Sequence, residues 1–454
     1  MLTPCLLKKF HESGPYYTSY PTLSEWKEPI GSEIFRSSLS NIFNKSGSIK
    51  TGLYVHFPFC PRQCLYCICN SEITKDEARI GRYLQSLYRE IDLLFGQFGS
   101  SLWVTDVHLG GGSPSSMGER NYGELVSRLR KWIDWENLRE FSIEIDPRTV
   151  SQEHFSWYKK SGITRLSFGI QDFAPDVQKV IKRVQPFSLV QSLLNESVRQ
   201  DFSGINFDIL YGLPLQTRQS FCETINQVID LSPSRITLLR YAHVPNIRPH
   251  QKSISNYPRP NEEDMSWMFI EATNAFVKAG WQHIGIDHFA RADDSLSIAA
   301  LAGTMRRSFI GFTPGWSHNL LGVGPTATTQ VGSLYTQNTY SLDLYEAMIS
   351  ENKFPIERGH VLNEDDEIRS EIINMILCQQ HVDFKVVENR YNILFSNYFS
   401  NELQELQLFV FEGIIELSDE GLHVTPEGRF FLRHVCKVFD KYLRGGRQYS
   451  VVGP

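Results

Sequence analysis

The sequence Tyr54-Val-His-Phe-Pro-Phe-Cys60-Pro-Arg-Gln-Cys64-Leu-Tyr66-Cys67-Ile-Cys69 joins an apolar, strand-like run to a loop that carries four cysteines. Three of the thiols have the spacing C-x3-C-x2-C, and a loop can turn successive side chains toward one point, whereas a strand alternates their directions. We therefore expect this cysteine loop, residues 60–69, to bind a [4Fe-4S] cluster. Such a cluster usually has four cysteine ligands, so three would leave one iron open to a small molecule.

Two other interpretations of the cysteine loop stay open at this point. A zinc site usually pairs two C-x2-C knuckles, and the sequence offers no second pair. A redox dithiol would use Cys64 and Cys67 but would leave Cys60 and Cys69 without a role. The other four cysteines are predicted to be ordinary core or surface residues. They are Cys5, Cys222, Cys378 and Cys436.

Length and composition narrow the class of protein. The 454 residues are enough for two or three domains with a sizeable core. A net charge of -6 gives no sign of a nucleic-acid surface, and 41% hydrophobic residues is ordinary for a soluble protein. No run of about 18 apolar residues predicts a membrane span, and the N terminus lacks the pattern of a secretory signal. We expect a cytoplasmic protein.

A strand-then-helix alternation begins near residue 52. The predicted strands lie at 52–58, 103–109, 140–146, 164–170, 205–211, 235–240 and 281–287. Repeated βα units predict a parallel sheet covered by helices, either open or curled into a barrel. In both architectures ligands bind at the carboxyl ends of the strands.

Polar residues are concentrated at those strand ends. In order along the chain, the ends carry the cysteine loop, Gly110–Pro114, Glu144, Gln171, Asp208 and Arg240–His243. Glu144 alternates with apolar neighbours, so its carboxylate points into a sheet face that would normally be apolar. Glu144 and Asp208 could equally be structural residues in ion pairs, for which Arg183 would be the natural partner.

Four parts of the chain are predicted. They are an N-terminal extension over the active site (1–45), a (β/α) barrel (46–290), a connecting region (291–362) and a mostly helical, winged-helix-like domain (363–454). The extension is rich in tyrosine and proline and is either a surface strap or a lid. The last domain is expected to contain a hairpin at 414–424 and a helix from Pro426 to about Leu443.

The cysteine spacing resembles that of radical S-adenosylmethionine (SAM) enzymes. Over nearly its full length the chain resembles the family of oxygen-independent coproporphyrinogen III oxidases. Besides the cysteine loop, the matching motifs are Tyr17–Pro21, Gly110–Pro114, Ser142–Pro147, Arg165–Phe173, Asp208–Pro214, Tyr241–His243, Asp287–Arg291 and Val424–Arg429.

The resemblance implies an α/β fold, a partial (β/α)6 barrel with a helical C-terminal domain, and two SAM molecules per site. The implied cluster ligands are Cys60, Cys64 and Cys67, with Cys69 beside the cluster. The implied contacts of the first SAM are Tyr54, Gly111, Glu144, Ala242 and Thr328. Those of the second SAM are Tyr66, Gly112, Ser113, Gln171, Arg183 and Asp208. The candidates for a catalytic role are Tyr54, Cys69 and Glu144.

The resemblance also implies a reaction. An electron from the cluster cleaves SAM, the resulting radical takes hydrogen from a propionate of coproporphyrinogen III, and loss of CO2 and one electron leaves a vinyl group. A second round gives protoporphyrinogen IX in haem biosynthesis. The implied partners are this tetrapyrrole and an electron donor such as flavodoxin or ferredoxin, with no nucleic acid, and the protein is expected to be a monomer.

Two alternative functions stay open. One is a haem-binding, chaperone-like relative without decarboxylase activity, although such relatives generally lack a cysteine at position 69. The other is a radical SAM enzyme for another tetrapyrrole, because Ile310 and Thr328 depart from the family's usual residues. Tyr16, Ile68 and Arg240 also depart from those residues.

Overall fold

The computed structural model of the chain describes residues 14–46, 48–99 and 102–443. Its strands are β1 (Ile49–Phe57), β2 (Phe59–Cys60), β3 (Glu72–Ile73), β4 (Leu102–Gly111), β5 (Glu140–Ile145), β6 (Arg165–Gln171), β7 (Gly204–Tyr211), β8 (Arg235–Arg240), β9 (Trp281–Ile284), β10 (His288–Arg291), β11 (Arg306–Ser308), β12 (Gly311–Thr313), β13 (Asn319–Val323), β14 (Thr328–Val331), β15 (Leu334–Asn338), β16 (Ile356–Val361), β17 (His381–Asp383), β18 (Ile415–Leu417) and β19 (Gly421–Val424). Its α-helices are α1 (Ser32–Ser46), α2 (Glu77–Phe98), α3 (Glu119–Arg130), α4 (Gln152–Ser161), α5 (Pro175–Val180), α6 (Phe187–Arg199), α7 (Arg218–Leu231), α8 (Glu262–Lys278), α9 (Ser295–Leu301), α10 (Leu342–Ser350), α11 (Glu364–Gln379), α12 (Phe384–Tyr391), α13 (Phe395–Tyr398), α14 (Ser400–Phe411) and α15 (Leu432–Val438).

One large sheet organises the barrel. Its order is β16-β15-β14-β13-β1-β4-β5-β6-β7-β8-β10-β9. The six strands β1 and β4 to β8 are successive neighbours and all pair in parallel, with helices in the connections. This arrangement confirms the partial (β/α)6 barrel, because β16 and β9 form the two edges of the sheet among the described residues.

The structure corrects three predictions made from the sequence. The seventh predicted strand ends at Ile284, because the chain turns at Gly285 (φ +61°) into β10, and β9 therefore pairs antiparallel at the sheet edge. The connecting region, for which no strands were predicted, extends the sheet with β13 to β16. The last predicted helix is shorter than expected: a 3-10 turn at Gly428–Phe431 precedes α15, which ends at Val438.

The two largest hydrophobic cores among the described residues lie in different parts of the chain. The larger core lies between the barrel sheet and its helices, and the smaller core lies among the C-terminal helices. The smaller core also contains Tyr17 and Tyr20 of the N-terminal segment, together with Cys378 and Cys436, as predicted for these two cysteines. The three-stranded antiparallel sheet β17-β19-β18 packs beside these helices, which agrees with a winged-helix-like arrangement.

Cys222 is partly buried, and Cys5 lies outside the described residues. In the part of the chain that the structure describes, none of the helices has the length and apolar character needed to cross a membrane.

Candidate active site

A cavity of about 1140 Å³ is lined by residues at the carboxyl ends of the parallel strands and in the loops that follow them. Thirteen of the fifteen residues predicted for the site line it. They are Cys60, Cys64, Tyr66, Cys67, Cys69, Gly111, Gly112, Ser113, Glu144, Gln171, Arg183, Asp208 and Ala242. The fold thus brings together side chains that are spread over more than 180 positions of the sequence. The two exceptions, Tyr54 and Thr328, do not line the cavity.

The glycine turn after β4 packs directly against the start of the cysteine loop. The backbone N–H of Gly112 donates to the carbonyl of Phe57 at 2.7 Å, and that of Ser113 donates to the carbonyl of Phe59 at 2.9 Å. A Cβ atom added at Gly111 (φ +113°) would lie 2.7 Å from the ring of His56, and one added at Gly112 would lie 2.7 Å from the carbonyl oxygen of Phe59. Glycine is therefore required for this close approach.

The other side of the cysteine loop is held by the 3-10 helix Pro249–Ile254. His250 Nε2 donates to the carbonyl of Cys67 at 2.8 Å, and Gln251 Nε2 donates to the carbonyl of Tyr66 at 2.9 Å. With both sides anchored, the loop presents its thiols to the cavity, although only Cys60, in β2, belongs to a regular element.

Two guanidinium groups contact the thiol of Cys64. Arg148 Nη2 lies 3.1 Å and Arg183 Nη1 lies 3.5 Å from Cys64 Sγ. Asp146 pairs with both arginines, at 2.7 Å and 3.3 Å respectively. Burial would raise the pKa of Asp146, but the charges of Arg183 and Arg148 outweigh it and lower that pKa to about 2. The carboxylate is therefore ionised, and both cations donate hydrogen bonds to the sulfur of Cys64.

The remaining thiols differ in their surroundings. Hydrogen bonding with Cys69 lowers the pKa of Cys67 to about 7 against the opposing effect of burial, and the Cys69 backbone N–H lies 3.4 Å from Cys67 Sγ. Burial raises the pKa of Cys60 to about 12. Within residues 14–46, 48–99 and 102–443, no three His, Cys, Asp or Glu side chains converge as the ligands of a single metal ion would. The three thiols instead face one cavity from one loop, which fits a cluster that offers a different iron to each thiolate.

Two carboxylates project into the barrel. Glu144 accepts hydrogen bonds at 3.3 Å from His108 Nε2 and at 3.3 Å from the backbone N–H of Gly111, and its side chain is 41% exposed to the cavity. Asp208 accepts from Ser167 Oγ at 3.1 Å, and burial raises its pKa. Neither forms the ion pair with Arg183 that a purely structural role predicted, because Arg183 pairs with Asp146 instead.

Tyr54 and Thr328 are buried and do not line the cavity. The Tyr54 hydroxyl donates to His56 Nδ1 at 3.0 Å, and the ring contacts Phe309 at 5.5 Å between centroids. Burial lowers the pKa of His56 to about 4, so its neutral ring uses Nε2–H to reach the carbonyl of Asn70 at 3.3 Å. Thr328 is fully buried in β14, and its hydroxyl has no hydrogen-bond partner among the described residues.

The site also contains four residues that the sequence patterns did not predict: Arg148, His56, His250 and Gln251. Arg148 could have been predicted as a site residue from the sequence, because it lies two positions after Asp146 at a polar strand end. His250 could not, since its contact with Cys67 spans 183 positions.

The N-terminal segment contributes to the cavity wall through residues 14–18 and 22–24. The Tyr17 hydroxyl donates to Asp440 Oδ2 at 3.1 Å, which ties this segment to the C-terminal core. Four of the positions that depart from the family's usual residues also line the cavity: Tyr16, Ile68, Arg240 and Ile310.

Comparison with known proteins agrees with this geometry. Residues 54–228 match the radical SAM superfamily, and residues 362–431 match the HemN C-terminal domain. The oxygen-independent coproporphyrinogen III oxidase of Salmonella typhimurium is 35% identical over 439 residues, which cover 97% of this chain and 95% of the relative. The enzyme of the same name from Escherichia coli is 34% identical over 439 residues, with the same coverage. The solved structure of coproporphyrinogen III oxidase (HemN) from Escherichia coli, described as a radical SAM enzyme, matches with a TM-score of 0.91 at 33% identity and covers 98% of this chain and 99% of its own.

The barrel, the cysteine loop and these matches define a radical SAM enzyme, whose cofactors are a [4Fe-4S] cluster and SAM. The zinc and dithiol interpretations of the cysteine loop are therefore wrong. Within the superfamily, the chain belongs to the family of oxygen-independent coproporphyrinogen III oxidases.

Proposed function

We propose that the chain converts two propionates of coproporphyrinogen III to vinyl groups by oxidative decarboxylation without oxygen, giving protoporphyrinogen IX. One observation carries the proposal: the cysteine loop forms part of the wall of a cavity of about 1140 Å³. That volume exceeds the roughly 300–1000 Å³ of a typical small-molecule pocket. It suits a site that holds a nucleoside cofactor together with a tetrapyrrole. The full-length relatives bear the name of this activity.

In this proposal Cys60, Cys64 and Cys67 hold the cluster. When bound, the cluster and SAM supply the one-electron chemistry that removes hydrogen from the substrate. Arg148 and Arg183 donate to the sulfur of Cys64, and such hydrogen bonds stabilise the more negative state of a cluster. The protein thereby makes reduction of the cluster easier.

The residues around the cluster are assigned to two SAM molecules. The first would be bound by Gly111, Glu144 and Ala242, with Tyr54 and Thr328 supporting the wall from behind. The second would be bound by Tyr66, Gly112, Ser113, Gln171, Arg183 and Asp208. A carboxylate such as Glu144 suits ribose hydroxyls or a sulfonium, and a guanidinium such as Arg183 suits the carboxylate of SAM.

Three residues are proposed to act close to the reacting atoms. Cys69 lies next to Cys67 and lines the cavity, and Glu144 accepts hydrogen bonds beside the glycine turn. Tyr54 would act through His56, to which its hydroxyl donates. The aromatic N-terminal segment would close the cavity and exclude water and oxygen.

The proposal extends to the organisation of the protein. The four parts are 1–45, 46–290, 291–362 and 363–454, and the third contributes Phe309 and Ile310 to the cavity wall. We propose a cytoplasmic monomer that receives electrons from a flavodoxin or ferredoxin.

The test is an anaerobic assay of cluster-loaded protein with SAM, a reductant and coproporphyrinogen III. We expect 5'-deoxyadenosine, CO2 and a vinyl product. 5'-Deoxyadenosine without a vinyl product would favour another tetrapyrrole as the substrate. Absence of all products, together with tight haem binding, would favour the chaperone-like alternative.

A further inference from the structure

A second group of side chains, most of them charged, also lines the cavity and has no role in the proposed function. We call it the arginine–histidine patch, and its members are Tyr16, Asp287, His288, Arg307 and Arg433. They come from four segments of the chain: the N-terminal segment, the start of β10, the middle of β11 and helix α15. None of them contacts the cysteine loop through a hydrogen bond or an ion pair among the described residues.

Arg307 is the central member of the patch. Its side chain is only 4% exposed, and its guanidinium stacks on the ring of Phe312 at 4.4 Å. Nε donates to the carbonyl of Tyr16 at 2.9 Å. Nη1 lies 3.7 Å from Asp287 Oδ1, which is too far for a hydrogen bond, and it has no hydrogen-bond partner among the described residues. A buried N–H of a cation without a partner is costly, and a ligand that accepts a hydrogen bond would remove that cost.

His288 also lines the cavity and contacts the same carboxylate oxygen of Asp287 as Arg307 does. Its Nδ1 lies 2.6 Å from Asp287 Oδ1, so the Nδ1 proton is directed to that carboxylate. Its Nε2 has no hydrogen-bond partner among the described residues and lies next to Gly311, where an added Cβ would come within 3.3 Å. The small residue at position 311 leaves Nε2 uncovered. An imidazole nitrogen can donate a hydrogen bond, so Nε2 is available to a ligand that accepts one.

The patch carries an excess of positive charge. Asp287 is its one carboxylate. Burial would raise the pKa of Asp287, but the charges of Arg307 and His288 outweigh it and hold that pKa well below its usual range. Arg433 adds a further cation, which donates to the carbonyl of Gly14 at 3.1 Å and lies 4.6 Å from the ring of Tyr16. Two guanidinium groups and an imidazole therefore surround a single carboxylate.

We propose that the arginine–histidine patch is a carboxylate-binding subsite, in which Arg307 Nη1 and His288 Nε2 hold one carboxylate of a bound ligand. The identity of the ligand rests on the proposed function, which offers two sources: a propionate of the tetrapyrrole and the carboxylate of SAM. The adjacent wall of Phe309, Ile310 and Phe312 is apolar and suits the face of a macrocycle. A propionate held here would fix how the macrocycle is turned in the cavity.

Binding measurements on cluster-loaded protein under anaerobic conditions test this subsite without turnover. The probes are coproporphyrin III, its tetramethyl ester, which lacks carboxylates, and SAM. For Arg307→Gln and for His288→Gln we expect coproporphyrin III to bind at least about tenfold more weakly, because each variant removes a charge-assisted hydrogen bond. The ester should bind each variant as it binds the wild type. Arg306→Gln is the matched control, since Arg306 is the preceding residue of β11, also has an unpaired Nη1 and does not line the cavity.

The outcomes distinguish a propionate from the SAM carboxylate as the bound group. They also distinguish failure of the subsite proposal from failure of the proposed function. Weaker binding of coproporphyrin III alone supports the subsite and assigns it a propionate, and weaker binding of SAM alone supports it and assigns it the SAM carboxylate. Unchanged binding of both ligands, or equal losses for coproporphyrin III and its ester, would overturn the subsite. His288→Gln leaves the Arg307–Asp287 pair in place, so it keeps the test valid if Arg307→Gln fails to fold. A wild-type protein that binds coproporphyrin III through these residues but forms no vinyl product would refute the proposed function and not the subsite.

Discussion

The cysteine loop and the arginine–histidine patch line the same cavity, but they are assembled in opposite ways. Ten consecutive residues supply all the thiols of the first, whereas the second joins side chains as distant as Tyr16 and Arg433. The charged groups of the two regions are also paired differently. At the cysteine loop the carboxylate of Asp146 contacts two arginines, while at the patch a guanidinium N–H of Arg307 has no hydrogen-bond partner among the described residues. The first is thus a local motif supported by its surroundings, and the second exists only in the folded chain.

The largest effect should follow from breaking the local motif. Cys64→Ala removes one of three cluster ligands together with the acceptor for Arg148 and Arg183. We expect complete loss of cluster binding and of SAM cleavage, measured by iron and sulfide content and by 5'-deoxyadenosine formation. Cys222→Ala is the control, because Cys222 does not line the cavity, and it should behave as the wild type. A Cys64→Ala protein that retains its cluster and turns over would refute the ligand assignment.

The scaffold behind both regions contains a buried carboxylate that should make stability depend on pH. Glu90 accepts hydrogen bonds from Gly324 N–H at 2.7 Å, from Asn338 Nδ2 at 2.9 Å and from the Tyr345 hydroxyl at 2.5 Å. Burial nevertheless raises its pKa to about 7. The pKa of a glutamate in the unfolded chain is about 4.3. At a pH between about 4.3 and about 7 the folded protein therefore binds more protons at Glu90 than the unfolded chain does.

The contribution of Glu90 to the free energy of unfolding is therefore fully present at low pH and is lost as the pH rises toward 7, by roughly 4 kcal/mol in total. Glu90→Gln removes this titration, so the free energy of unfolding of the variant relative to the wild type should rise between pH 5 and pH 8. Chemical denaturation at several pH values measures the difference. Glu119→Gln, at an exposed position, should show no such trend. A constant difference between Glu90→Gln and wild type would contradict the pKa assignment.

The same contrast explains how much the sequence could predict. The barrel strands and the cysteine loop follow from local patterns, because alternation and cysteine spacing express the fold within a few residues. The antiparallel β9 and the strands β14 to β16 did not follow, since Gly285 and the glycine-rich run near Gly322 indicate turns without indicating the direction of the next strand.

Within the site, contacts between residues close together in the sequence were easier to predict than contacts between distant residues. Glu144 was predicted from strand alternation, whereas the contact of His250 with Cys67 depends on the path of a later loop. Arg307 and His288 belong to different elements, and only the folded structure shows that both face the cavity.

A moderate effect should follow from changing the electrostatics of the cysteine loop without removing a thiol. Arg148→Gln takes away a cationic donor 3.1 Å from Cys64 Sγ. We expect the cluster to remain bound and its midpoint potential to fall by about 60 mV, the equivalent of one charge-assisted hydrogen bond in a one-electron couple. A spectroscopic redox titration measures the shift. Arg148→Lys, which keeps the charge, should recover part of it, and an unchanged potential in Arg148→Gln would mean that this arginine serves only to position Asp146.

The smallest effect concerns the attachment of the N-terminal segment beside the arginine–histidine patch. Tyr17 follows the residue whose carbonyl accepts from Arg307, and its buried hydroxyl donates to Asp440 at 3.1 Å. Tyr17→Phe keeps the ring in the C-terminal core but deletes that hydrogen bond, so we expect the free energy of unfolding to fall by about 1 kcal/mol. If the segment positions the patch, coproporphyrin III should also bind slightly more weakly, while the cluster stays unaffected. Tyr257→Phe, at an exposed tyrosine, is the control, and equal stability of both variants would show that the Tyr17 hydroxyl does not hold the segment in place.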